Sequence, residues 1–350
     1  MDTPEFRVPD VERTLPLDRE RAGGERLTPR RRPDVDERRT PDRRTGERRI
    51  SRAVTPLVGT PIAEDDWVRF PLKPRQLAAV VRAALHEDGA LNDLTTISCV
   101  YSDRRAHGTI VARRGGVIAG VPLAITAFRV LDPNVAIRID VDDGGYVAEN
   151  GIVMRITGLA RAILSAERVA LAFLQRLSGV ASTTSRYVDA VRGTRAQVLD
   201  GWRTTPGLRE LERYAVRAGG GLNHRGDPTR VIRVRQNHLA AVGGDVALAV
   251  RRAREFLSPG SPVEVECRSL EQVSQAIAAG ADTVVLVEMS PAQARECVEH
   301  VRGRATTELF GPVALDGVRA FAQAGVDRIA VPAITQCAAV LELSLEFEAV

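Results

Sequence analysis

Arginines, a histidine and two closely spaced glutamates are the residues of this chain whose types and spacing could do chemistry. The stretch LDGWRTTPGLR (199–209) leaves a strand-like run, places Asp200, Trp202 and Arg203 at its end, and enters a helix through Pro206 and Gly207. Further on, GGGLNHR brings Asn223, His224 and Arg225 together, and RQNH supplies Arg235 to His238. Glu264 and Glu266, two apart in VEVEC, share one face of a strand because side chains alternate with period 2. Val287 with Glu288, Glu308 to Pro312, and Pro332 with Ala333 close three later strand-like runs. Several arginines facing one cavity repel one another unless an anion occupies it, and the planar guanidinium grips carboxylate or phosphate through paired hydrogen bonds. The pattern therefore implies a ligand bearing carboxylates or phosphates. Trp202 stands where a charged residue is expected: its indole can stack on a planar aromatic acid or on Arg225, or it can plug an unused pocket. Taken singly, Arg203 and Arg235 read equally as solvated charges, His224 as a structural histidine, and one of the two glutamates as a member of an ion-pair network.

These residues converge only if strands deliver them to one end. From residue 196 the texture repeats as strand, loop, helix: AQVLD, VIRVRQNH, VEVEC, TVVLVE, TTELFG and RIAVPA are strand-like, with helices such as LEQVSQAIAAG and LDGVRAFAQAG between them. Apolar strands alternating with amphipathic helices require right-handed crossovers and a parallel sheet, and this many units predict a closed or nearly closed barrel. All strand C-termini then face one mouth. Earlier, LKPRQLAAVVRAALHEDG (72–89) predicts a helix ending at Gly89, and 107–158 reads as short β-rich runs of a small antiparallel or mixed sheet. SAERVALAFLQRLSGVASTTSRYVDAVRG (165–193) predicts a long amphipathic helix with Ala166, Ala170, Phe173, Leu174 and Leu177 on one face.

Composition bounds the rest. The 350 residues are 44% hydrophobic and 27% charged, enough for a large buried core. No apolar run approaches the roughly 20 residues that cross a bilayer, and the N-terminus lacks a secretory signal, so a cytoplasmic protein is expected. Cys99, Cys267, Cys297 and Cys337 form no C-x-x-C pair, so neither a disulfide framework nor a zinc site is expected, and all four read as small buried hydrophobes. Lys73 is the only lysine, so site chemistry that uses lysine elsewhere must here use arginine. Residues 1–66 hold 15 arginines against 15 acids around ERRTPDRRTGERR, a composition that cannot bury enough apolar surface to offset its ordering entropy. They read as a disordered tail, and the interleaved acids cancel the field that a nucleic-acid partner would need.

Five segments, in order, resemble one family: HEDGALNDLTT, AERVALAFLQRLSGVAS, PGLRELERYAVRAGGGLNHR, VEVECRSLEQVSQAIAAGAD and AFAQAGVDRIAV. Together they are similar to quinolinate phosphoribosyltransferase, the carboxylating nicotinate-nucleotide pyrophosphorylase, from about residue 72 to 348. The resemblance implies an α/β fold with an N-terminal open α/β sandwich and an incomplete α/β barrel of the type II phosphoribosyltransferase kind. The expected units are a tail (1–66), a sandwich (67–178) to which 337–350 returns, and a barrel (179–336). It also implies a homodimer or larger assembly, magnesium, and two substrates, quinolinate and phosphoribosyl pyrophosphate.

Carried over residue by residue, the resemblance gives two unequal halves. On the acid side, Arg168 sits in the family's E-R-x-A-L motif, which serves the neighbouring subunit, and His224 with Arg225 match its N-H-R. Where the family writes Asp-Thr-Arg-Lys-Thr, this chain has Asp200, Gly201, Trp202, Arg203 and Thr204, and Arg235 replaces the lysine before Asn-His. Glu266 keeps the ribose-contacting glutamate. On the sugar-phosphate side, a magnesium-holding aspartate is Val287, and the phosphate loop after Glu308 reads Phe310, Gly311, Pro312. The glycine of the last phosphate turn, before Ala333, is Pro332, which cannot donate a hydrogen bond. No protein ligand set for a metal is expected, and the changes argue against magnesium and phosphoribosyl pyrophosphate here. The resemblance thus implies an impaired or altered transferase; the alternatives are transfer to another acidic heterocycle, or an inactive homologue that binds an aromatic acid or pairs with an active relative.

Overall fold

The computed structural model describes residues 70–224, 231–256 and 260–350. The expected tail, the first three residues of the expected sandwich (67–69), and Arg225 lie outside them. The N-terminal part runs α1 (Pro74–Glu87), α2 (Leu94–Cys99), β1 (Arg105–Ala112), β2 (Gly116–Val117), α3 (Val121–Leu131), β3 (Ala136–Ile139), β4 (Tyr146–Val147), β5 (Ile152–Leu159) and α4 (Ala160–Ala190). Then come β6 (Gln197–Asp200), α5 (Arg209–Ala218), β7 (Ile232–Val234), α6 (Gln236–Ala241), α7 (Val246–Phe256), β8 (Val263–Cys267), α8 (Leu270–Ala278) and β9 (Thr283–Leu286). The chain finishes with α9 (Pro291–Val301), β10 (Thr306–Phe310), α10 (Val318–Gln323), β11 (Arg328–Val331), α11 (Ala333–Gln336) and β12 (Leu343–Ala349).

Two large sheets, beside a two-stranded pairing of β2 with β4, organise these elements. The first is antiparallel, in the order β12-β1-β5-β3, so the last strand of the chain lies along the first, with Ala106 opposite Ala349 and Ala112 opposite Leu343. The second has the order β6-β11-β10-β9-β8-β7 and is parallel throughout. Leu222 makes one parallel bridge to Leu199 and so carries the sheet one step beyond β6. β9 is buried along its whole length and β8 over all but one residue, as expected of strands covered on both faces.

The long helix α4 joins the two sheets. Ala166, Ala170, Leu174 and Leu177 are buried on its apolar face and Phe173 is half-buried. Ser178 and Ser182 accept hydrogen bonds from the backbone of Ala119 and Val117, at 2.9 and 2.8 Å. Gly179 sits where the returning chain crosses the helix, and a Cβ there would collide with the carbonyl oxygen of Ala339.

Three expectations need correction. VPLAITAFRVL, read within the β-rich stretch, is the helix α3; packed against both α1 and α4, it buries Val121, Leu123, Ala124, Ala127 and Phe128, and only Thr126 and exposed Arg129 are polar on its outer face. Strand β7 is only three residues long, and Gln236 to Ala241 turn into α6 where a continuous strand is expected. Cys99 and Cys337 are exposed, unlike buried Cys267 and Cys297. Among the described residues no helix is long and apolar enough to cross a membrane.

Gly179→Ala is expected to destabilise the protein by about 1–3 kcal/mol, since the obstacle is backbone rather than a movable side chain. Urea denaturation checks this; an unchanged midpoint would show that the crossing can relax.

Candidate active site

The end of β6 carries Asp200, which is 2% exposed and organises the neighbouring crossover. Its two carboxylate oxygens accept the His224 backbone N–H at 2.6 Å and the Asn223 side-chain amide at 3.0 Å. Burial pushes its carboxyl above the ordinary aspartate range, against these hydrogen bonds and the charge of Arg213. Asp200 thereby fixes the loop that aims His224 into the barrel interior.

There the His224 ring meets Glu308 of β10, with Nε2 lying 3.0 and 3.1 Å from the two carboxylate oxygens. From the opposite end of the sheet, Arg233 of β7 also reaches Glu308 and donates to Oε1. Arg233 is the register partner of Glu264 on β8, and its Nε lies 3.1 Å from Glu264 Oε2. That contact is an ion pair by distance but is not aligned as a hydrogen bond, and both atoms lack a hydrogen-bond partner. Arg233 NH1, His224 Nδ1 and Trp202 Nε1 are likewise buried without one. Burial alone would raise Glu308, yet the hydrogen bond from His224 and the charge of Arg233 outweigh it and hold the carboxyl below the usual glutamate range. Burial wins at Glu264 and pushes its carboxyl up, although Arg233 opposes this.

Trp202 closes this cluster from the β6 loop. Its ring centroid is 4.4 Å from that of His224, tilted by 45°, and the guanidinium carbons of Arg233 and Arg235 lie 5.2 and 5.9 Å from it. The Phe310 ring, at the end of β10, is 5.5 Å from the same Arg233 carbon. The loop itself is anchored from behind. Glu212 of α5, fully buried, accepts the Thr205 N–H at 2.9 Å, its hydroxyl at 2.7 Å, and Arg176 of α4 at 2.6 Å. Thr335 of α11 donates to the Arg203 carbonyl at 2.7 Å, tying the β6 and β11 loops together. Gly201 allows the approach, since a Cβ there would lie 2.7 Å from Pro332 Cα.

The structure brings Trp202, His224, Arg235 and Glu308 into one neighbourhood. Glu266 borders it, 4.0 Å from Arg235 and accepting the Gln236 N–H at 3.2 Å. The Arg203 side chain is exposed, and Arg168 on α4 pairs with Asp88 at 3.1 Å, outside this cluster. Gly311 and Ala333 are half-buried, and Pro332 precedes α11 with φ of −58°. Val287 is buried at the end of β9, while Glu288, at a left-handed φ of 57°, turns to Arg268 at 2.8 Å. Sequence reasoning missed Arg233, Arg176 and Glu212. Arg233 carried a signal: it stands two residues before Arg235 and so shares its face by period 2. Arg176 and Glu212 lie among other charged helical residues with nothing local to single them out.

His224, Glu264 and Glu308 place three ligand atoms within 4.8 Å of one another, a donor set of the kind that can hold a metal ion. The guanidinium of Arg233 lies against both carboxylates. These residues therefore do not fit a resident metal ion.

Residues 93–178 match the family "Quinolinate phosphoribosyl transferase, N-terminal domain", and residues 180–346 match "Quinolinate phosphoribosyl transferase, C-terminal domain". The chain belongs to the quinolinate phosphoribosyltransferase family. It is 37% identical over 276 residues to the nicotinate-nucleotide pyrophosphorylase (carboxylating) of Mycobacterium leprae, covering 76% of this chain and 95% of that one. It is 34% identical over 271 residues to a probable nicotinate-nucleotide pyrophosphorylase (carboxylating) of Bacillus subtilis, covering 77% and 93%. Among solved structures, the nicotinate-nucleotide pyrophosphorylase of Francisella tularensis superimposes with a TM-score of 0.74 at 32% identity, over 81% of this chain and all of that one. The six-stranded parallel sheet and its helices, which do not close by backbone pairing, are thus the incomplete α/β barrel of the quinolinate phosphoribosyltransferase fold.

Two outcomes are expected. Glu308→Gln leaves the buried Arg233 without its main counter-charge and should cost about 3–5 kcal/mol in urea denaturation; a loss within about 0.5 kcal/mol, the range of ordinary surface changes, would show that the cluster does not depend on it. Glu264 has a raised pKa, so its contribution to stability is fully present below its unfolded value and is lost as pH rises through the folded one. The melting temperature of the wild type relative to Glu264→Gln should accordingly fall as pH rises from 4.5, the ordinary glutamate value. A difference that is flat or grows with pH contradicts the assignment.

Proposed function

We propose that this chain binds a planar pyridine dicarboxylate of the quinolinate class at the mouth of its barrel and transfers a phosphoribosyl group to it with reduced efficiency. Family membership supports the reaction. The observation that carries the acid side is the Trp202 ring, which lies beside His224 with the exposed Arg235 guanidinium carbon 5.9 Å from its centroid. An aromatic face flanked by a cation suits a flat anionic ring. In this reading Arg203, Arg225 and Arg235 address the carboxylates, Glu266 faces the ribose, and Arg168 serves the neighbouring subunit of a homodimer in the cytoplasm. The ring nitrogen attacks C1 of phosphoribosyl pyrophosphate and pyrophosphate leaves. Loss of the 2-carboxylate as carbon dioxide then gives nicotinate mononucleotide. The protein's part is positioning and electrostatic stabilisation of the cationic sugar centre.

Reduced efficiency follows from the sugar-phosphate side. Val287, Phe310, Pro312 and Pro332 replace groups that carry charge, hydroxyl or backbone N–H in the family pattern. A lost charged hydrogen bond is worth about 1.5–3 kcal/mol, or roughly ten- to a hundredfold in rate. Magnesium belongs to the family's reaction, but Val287 stands where its aspartate is expected, the His224, Glu264 and Glu308 cluster already holds Arg233, and no step is assigned through the ion. The filling of that cluster by Arg233 favours a second reading, a non-catalytic binder of an aromatic acid.

A steady-state assay with quinolinate, phosphoribosyl pyrophosphate and magnesium, run beside the Bacillus subtilis relative, is expected to yield nicotinate mononucleotide at a kcat/KM lower by about a hundredfold or more. No product above blank rejects the transferase and leaves the binder, which calorimetric titration with quinolinate alone would then detect. Turnover equal to the relative's rejects the impairment.

A further inference from the structure

We propose that Arg233 is a resident cation: its guanidinium takes the position that a divalent metal ion would take among His224, Glu264 and Glu308. This goes beyond the proposed function and does not depend on which acid the mouth accepts. The three side chains are 4%, 3% and 0% exposed, and their ligand atoms are mutually within 4.8 Å. Two carboxylates this close and this dry repel strongly unless a cation lies between them. The backbone supplies it, because parallel pairing of β7 with β8 puts Arg233 in register with Glu264, while its length lets the same guanidinium reach Glu308 of β10.

The surroundings suit a flat organic cation better than a small hydrated one. Two aromatic rings, Trp202 and Phe310, stand 5.2 and 5.5 Å from the guanidinium carbon. Rings attract a guanidinium through their π faces but offer no lone pairs to a hard metal, which would also need room for water to complete its coordination. The remaining carboxylate beyond β9, on Glu288, is turned away to Arg268 at 2.8 Å and leaves buried Val287 at the strand end. Arg233 NH1 and Nε, buried and without hydrogen-bond partners, lie inside the cluster and mark the guanidinium as held there by charge more than by aligned bonds.

Trp202 makes the test direct. The chain has two tryptophans, Trp67 and Trp202, so Trp67→Phe leaves Trp202 as the only indole, beside the cluster. Full-length Trp67→Phe protein is titrated with terbium, read by emission sensitised through tryptophan, and with manganese, read by quenching. Neither ion should give a saturable signal from the cluster. Arg233→Met in the same background should gain both. Removing one unit charge at contact range, at an effective dielectric of about 20, corresponds to roughly a thousandfold tighter binding. Should Arg233→Met melt early, manganese should raise its melting temperature while leaving the parent unchanged; Arg233→Lys, which keeps a charge, should stay silent.

A saturable signal in Trp67→Phe that Glu264→Gln abolishes overturns the proposal. So does an Arg233→Met protein, folded or not, whose spectra and melting ignore both ions. A parent signal that survives Glu264→Gln comes from ions bound elsewhere and counts as silence at this cluster. Neither substrate is present in these titrations, so their outcome is separate from success or failure of the transferase assay.

Discussion

The guanidinium of Arg233, set between Glu308 and Glu264, is the contact on which the interior of the barrel depends. In a dry interior each unpaired carboxylate costs several kcal/mol, and Arg233 offsets that cost at Glu264 and, together with His224, at Glu308. The contact also closes the sheet across its middle. Arg233 comes from β7, one end of the strand order, and His224 from the loop after Leu222, beyond the other end. Both end on Glu308 of β10, near the centre. Side chains thus bridge the two ends of the sheet.

The same contact explains the tryptophan at the mouth. A lone indole over a histidine would be a modest packing interaction. With a guanidinium held at 5.2 Å by two glutamates, Trp202 gains a cation–π partner whose position is fixed from the opposite strands. The loop that carries it is fixed in turn by Glu212 and Arg176, which act from helices on the outer side. Mouth chemistry here rests on buried charge pairs behind the loops more than on the loop residues themselves.

Much of this architecture was legible in the sequence. The strands from β6 to β11 announce themselves as short apolar runs between amphipathic helices, and VEVEC coincides with β8 to the residue. What misled was context. The helix α3 is largely apolar because helices cover it on two sides, and two polar residues, Thr126 and Arg129, are a thin signal of its period among β-branched neighbours. At β7, the polar residues after Val234 turn into a helix because the His238 ring accepts the Arg235 N–H, a local bond that propensity does not report. The site was readable as a list of charges but not as a pairing scheme. Arg235 and Arg203 attract notice as cations, whereas Arg233, flanked by apolar residues, does the neutralising. Which glutamate a buried arginine meets depends on strand order, and strand order is set by the whole fold.

β12 lies along β1, and so the sheet begun by residues 105–112 is finished by residues 343–349. A ribosome reads these segments more than two hundred residues apart, with every barrel strand between them. The first sheet must wait, with one edge unpaired, until β12 has been made. Completion of this sheet therefore follows synthesis of every barrel strand, and the open edge of β1 is the part that a chaperone would have to shield in the meantime.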